Sequence, residues 1–122
     1  MRYLVVLEAT PPATPPPAEL MDGIMRLGAE ATRSGALLDT AGLAPSAAGA
    51  RVTVVGTDLT VTDGPFAESK EMISYAIYDV RAKADAVEWA SRFLQLHRDL
   101  WAGWEGEARV LQVFDPAGAP PA

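Results

Sequence analysis

Apolar and polar positions set out most of the elements. Arg2 to Glu8, RYLVVLE, reads as an opening strand. Pro17 suits the first turn of a helix, because it lacks only an N–H that would have no partner there. From Ala18 to about Ser34 the residues Leu20, Ile24, Leu27 and Ala31 share one stripe, with Met21 and Met25 beside it. That spacing predicts an amphipathic helix, and Gly35 is a good C-terminal stop. Ala36 to Ser46 predicts a short extended piece and a loop. RVTVVGTDLTV predicts a hairpin with a two-residue, glycine-first turn at Gly56-Thr57. Its register pairs Val55 with Asp58, Val54 with Leu59, Thr53 with Thr60 and Val52 with Val61. One face is then Val52, Val54, Leu59 and Val61, and turn chemistry agrees with face pattern. Met72 to Val80 predicts another strand. Ala82 to Trp101 predicts a second helix, with Ala86, Ala90, Phe93, His97 and Leu100 on one stripe. Glu107 to Phe114 predicts the last strand.

The order β-α-β-β-β-α-β, with the helices far apart, suits an α+β fold. It predicts a ferredoxin-like antiparallel sheet with two helices on one face. The strand MISYAIYDV is apolar on both parities: Met72, Ala76, Tyr78 and Val80 on one side, Ile73, Tyr75 and Ile77 on the other. YLVVL is two-sided as well. Two helices cover one face, so the second face needs another cover, and a second copy of the chain supplies it. About 800 Å² per partner makes a standard interface. The pattern therefore predicts a homodimer through the sheet face.

The chain has 122 residues, enough for one domain with a real core. It divides into a domain over residues 1–115 and a loose tail over residues 116–122, within the closing DPAGAPPA. ATPPATPPP, residues 9–17, is proline-rich and extended. The net charge of −6, with no Lys/Arg cluster, argues against direct contact with nucleic acid. With no cysteine there is no disulfide, thiolate metal site or cysteine nucleophile. Glu8 interrupts the opening apolar run before it reaches the length of a signal sequence, and no stretch approaches the roughly 18 residues that span a bilayer. The expectation is a soluble cytoplasmic protein without a membrane partner.

TVTDGPFAESKE, residues 60–71, holds the candidate chemistry. Alternation points Asp63 to the face of Leu59 and Val61, where a carboxylate is costly unless partnered or wet. Gly64 has wide backbone freedom, and Pro65 presets a type I or II turn. Two readings stand for Asp63. It caps the turn, in which case it must reach the N–H of Phe66 or Ala67 because Pro65 has none. Alternatively it faces a ligand as acid, base or acceptor.

VTDGPFAESKEMI, followed by a strand and the helix DAVEWASRFLQLH, closely resembles the YCII-related, or DGPF-domain, family. MRYLVVLE, SGALLDTAGL and VLQVF also sit where that family has its segments, so the resemblance covers nearly the whole chain. It implies a dimeric α+β barrel, a cleft between sheet and helices, and a possible accessory role beside alternative sigma factors. Relatives in the wider superfamily pair a first-helix histidine with an aspartate. Here Met21, Ile24 and Met25 stand near that place, so such a dyad is not expected. The family's glycine pair after AESKE is replaced by Ser74-Tyr75, which implies a bulkier strand there.

His97, the only histidine, lies on the apolar stripe near a helix C-terminus and reads as a packed or capping residue. With a single histidine, no metal site is expected. No phosphate-binding glycine loop, nucleophile elbow or zinc-protease motif is present, and no cofactor is expected. Glu68, Lys70 and Glu71 read as a solvated run, with Lys70 able to steer an anionic group. Trp89, Trp101 and Trp104 read as packing. Met21 and Met25 fill the core or wall an apolar pocket. The sequence thus predicts a small-molecule-binding protein with a cleft near the DGPF turn. Asp63 is the candidate catalytic or ligand-binding acid, with Lys70, Ser74, Tyr75 and Met25 as further ligand-binding candidates. The alternative is a non-enzymatic interaction module that acts through protein contacts.

Overall fold

The computed structural model describes residues 1–12 and 14–114. The expected tail, residues 116–122, lies outside the described residues, as does residue 115. Six strands and two helices follow in order: β1 (Arg2–Ala9), α1 (Ala18–Arg33), β2 (Leu37–Gly42), β3 (Ala50–Val55), β4 (Asp58–Asp63), β5 (Glu71–Asp79), α2 (Lys83–Leu100) and β6 (Gly106–Gln112). A single 3-10 turn, Ser46–Ala48, precedes β3. Four strands make an antiparallel sheet in the order β2-β5-β1-β6, and β3 with β4 makes a separate two-stranded ribbon. With the ribbon set aside, this strand order is compatible with the ferredoxin-like layout.

The predicted hairpin has the expected register, from Val55↔Asp58 to Val52↔Val61, and Gly56 turns it with φ +62°. Its place differs from expectation, because it does not join the main sheet. Val52, Val54, Val55, Leu59 and Val61 are 61 to 76% exposed. The missing sheet position is filled by β2, which the sequence reading treated as a short extended piece. LLDTAG shows no clean alternation because it is an edge strand, exposed along most of its length. Backbone pairing with β5, from Leu37↔Tyr78 to Gly42↔Ser74, holds it in place.

One face of the sheet meets both helices. Tyr3, Val5, Leu7 and Ala9 of β1 are buried there, and Ala76 of β5 with Ala108 and Val110 of β6 pack alongside. Leu20, Gly23, Leu27 and Ala31 of α1 and Ala86, Ala90 and His97 of α2 are the buried helix positions, and all but Gly23 belong to the predicted stripes. Asp85 fixes the start of α2 by accepting the Ala82 N–H at 3.2 Å. The pairing of β1 with β5 shifts between Leu7 and Glu8, where Ile73 is the extra residue on β5. That bulge turns Met72 to the side of Glu8, away from Ala76 and Tyr78, which corrects the strict alternation read from the sequence. The other face carries Leu4 between Ile77 and Leu111, and Val6 between Tyr75 and Arg109. No helix of the described residues is long and apolar enough to cross a membrane.

Candidate functional site

A cavity of about 490 Å³ lies between the sheet and the helices, where β1 and α2 end and α1 and β5 begin. Leu7 and Ala9 of β1, Thr40 of β2 and Ser74 of β5 form the sheet side. Leu20, Met21 and Ile24 come from α1, and Phe93 and His97 from α2. Trp101 and Trp104 follow α2, while Pro12 and Pro16 bring the proline-rich segment to the rim. A smaller chamber of about 90 Å³ shares Leu7, Ile24, Thr40, Ser74 and Phe93 with it. No charged side chain lines the larger cavity among the described residues.

Local chemistry explains the aromatic wall. Phe93 and His97 are four residues apart on α2 and therefore share a face. Their ring centroids are 4.8 Å apart with planes at 71°, an edge-on contact. The His97 ring lies 4.5 Å from that of Trp104, which stacks on Trp101 at 6.5 Å. Gly106 makes room for this, since a Cβ there would overlap the Trp104 ring. The Trp101 Nε1–H donates to the Thr14 hydroxyl at 3.3 Å, tying the ring to the proline-rich segment. His97 is 4% exposed. Its Nδ1 stands 2.9 Å from the Phe93 carbonyl. A carbonyl only accepts, so this contact assigns the proton to Nδ1 and leaves Nε2 as an acceptor. Burial pushes the His97 pKa down, against the opposing effect of the Phe93 bond. The packed histidine read from the sequence is what the structure shows, and its burial disfavours the charged form.

The DGPF turn is built by a partner distant in sequence. The Phe66 N–H donates to the Ser46 hydroxyl at 3.2 Å, and that hydroxyl donates to Glu71 at 2.7 Å. The turn is thus held by Ser46 at an N–H that a capping Asp63 was expected to reach. The Gly64 N–H donates to the Gly49 carbonyl at 2.9 Å. A Cβ on Gly64 would overlap the Ser46 carbonyl, which is backbone and cannot swing aside. Gly64→Ala is accordingly expected to cost about 2 kcal/mol through overpacking. Urea melts of the two proteins at one concentration measure this, and an unchanged midpoint would show that the loop is not seated on Gly64. A second cavity of about 520 Å³ borders this turn, lined by Arg51, Phe66, Glu68, Lys70 and Glu71 among others. Its charges are engaged with neighbours. Arg51 pairs with Glu68 and lies over the Phe66 ring, and Lys70 pairs with Glu107 at 2.8 Å, holding that carboxyl below its usual range.

The five candidate residues occupy different surroundings. Ser74 lines both chambers between sheet and helices, and Tyr75 lines the smaller one. The Tyr75 hydroxyl donates to Asp39 at 2.9 Å, and that bond, with the carboxylate's charge, pushes the phenol's pKa up. Lys70 lines the cavity at the turn. Asp63 ends β4 opposite Ala50, exposed, and borders neither large cavity. The whole ribbon is wet at this point, so the desolvation cost inferred from alternation does not arise. Met25 is 72% exposed, and its neighbour Met21 meets the apolar wall instead. His97, Trp101 and Trp104 are the wall residues that sequence reasoning assigned only to packing. The ring-rich run FLQLHRDLWAGW carried a signal, but not the empty space it faces. Among the described residues, no three His, Asp or Glu side chains stand together as a metal-binding group.

No family model matches the chain, and no curated protein is significantly similar to it. The resemblance to the DGPF-domain family rests on the residues quoted for it.

Proposed function

We propose that this chain is a small-molecule-binding protein of the YCII-related, DGPF-domain type, which holds its ligand between sheet and helices and works as a homodimer. One observation carries the ligand reading: a cavity of about 490 Å³ with an almost wholly apolar wall and a few polar groups, Thr40, Ser74 and His97. Binding sites for small molecules have this size and this mixture. The cavity at the DGPF turn is the weaker candidate, because the charges around it already satisfy one another. A role for Asp63 as acid or base at that turn would need the ligand to reach the exposed end of β4.

Ser74→Phe tests the reading. Ser74 is half-buried on the sheet floor, and a phenyl ring there fills space common to both chambers. Neutral aromatic fragments are expected to raise the thermal midpoint of the wild type and to leave that of the folded variant unchanged. Equal shifts in the two proteins would move the ligand out of this cavity. The exposed apolar ribbon favours a second reading, an interaction module that docks on another protein. A broad fragment library without a single hit on the wild type would favour that reading, and the sigma-factor association implied by the resemblance would then name its first partner to test.

A further inference from the structure

We propose that the cavity takes a neutral, planar aromatic molecule carrying one hydrogen-bond donor, a phenol or an indole by class, with the donor seated on His97 Nε2. This rests on the reading above that the cavity is the ligand site. Three features of the wall select the class. First, it has no charged side chain among the described residues, so an ionised ligand would lose its hydration without a counter-charge. Second, Phe93, His97, Trp101 and Trp104 all face the space, and their centroids lie 4.5 to 6.5 Å apart along the wall. A flat ring can stack on or abut such a surface with little loss of internal freedom. Third, three polar groups of the wall already have partners. The Thr40 hydroxyl donates to the Tyr75 carbonyl at 2.7 Å, and the Trp101 Nε1–H donates to Thr14. The His97 Nδ1–H is used by Phe93.

His97 Nε2 remains with a lone pair. It has no hydrogen-bond partner among the described residues. Yet no buried side-chain nitrogen or oxygen among them is sealed without a partner, so Nε2 is not sealed off, and the ring it belongs to lines the cavity. In a neutral imidazole the nitrogen that carries no proton accepts and does not donate. It therefore rewards an O–H or N–H on the ligand and offers nothing to a carboxylate.

The test uses a matched pair of probes, 2-naphthol and 2-methoxynaphthalene, with 2-naphthoate as the charged control. His97 is the only histidine, so protein labelled with nitrogen-15 histidine gives a single Nε2 resonance. We expect 2-naphthol to bind about tenfold more tightly than its methyl ether by calorimetry, the factor one hydrogen bond supplies. It should also move the Nε2 resonance upfield, which the ether does not. In His97→Phe the ether still binds and the tenfold preference disappears. Equal affinities of naphthol and ether for the wild type, with Nε2 unmoved, overturn the proposed class and leave the cavity standing as a site. Tighter binding of 2-naphthoate than of 2-naphthol overturns it too. If both neutral probes bind and Ser74→Phe does not weaken them, the cavity reading itself fails.

Discussion

Leu20→Ala is expected to lower the unfolding free energy by about 3 kcal/mol while enlarging the cavity between sheet and helices. Leu20 is fully buried on α1 and stands at the cavity's inner wall. Truncation removes its transfer free energy and adds a void that the surroundings only partly fill. Here the neighbouring space is already open, so little collapse can offset the loss. For a domain of this size the thermal midpoint should fall on the order of 10 °C. Urea melts at fixed protein concentration measure the loss, and calorimetry with a naphthalene-sized probe checks that the enlarged cavity still binds. A loss below about 1 kcal/mol would mean that this turn of α1 is not packed on the sheet, and the cavity would lose its upper wall.

The helices were legible in the sequence because their period is local. Leu20, Leu27 and Ala31 on α1 and Ala86, Ala90 and His97 on α2 are buried as their spacing predicts. The register of the β3–β4 hairpin was legible for a related reason: a two-residue turn leaves the flanking strands one pairing. What the ribbon packs against was not legible, since alternation says which residues share a face and nothing of what covers it. The strand β2 was hidden because edge pairing is made by backbone groups common to all residues. The bulge at Ile73 likewise leaves no local mark, yet it reverses the side on which Met72 lies.

The candidate site divides along the same line. Ser74 was read as a site residue and stands on the cavity floor. The support of the DGPF turn was missed because Ser46 lies 20 residues before Phe66 and no short-range rule connects them. His97 was read as packed, and it is buried. The volume beside it is enclosed by Trp101 and Trp104 from beyond the helix, which no stripe on α2 records. Empty space is a property of three elements at once, and a single periodic stripe cannot encode it.

Leu111→Glu is expected to weaken the proposed dimer by at least a thousandfold while leaving the subunit folded. Leu111 is 52% exposed on β6 and lies beside Leu4 on the face away from the helices. In a lone subunit a glutamate there stays in water, so its effect on stability is within about 0.5 kcal/mol. In a two-fold dimer through this face the same carboxylate is buried twice, once from each copy. Burying an unpaired charge costs about 3 kcal/mol or more each time, and about 1.4 kcal/mol already makes a factor of ten. Met25→Glu is the control, since Met25 is 72% exposed on α1 and away from this face. Sedimentation velocity at micromolar concentration separates the outcomes. The wild type and Met25→Glu should run as dimers and Leu111→Glu as a monomer with an unchanged circular dichroism spectrum. A wild type that sediments as a single subunit would remove the dimer. A Leu111→Glu protein that stays dimeric would move the interface from the sheet, leaving the apolar ribbon of Val52, Val54, Leu59 and Val61 as the surface to mutate next.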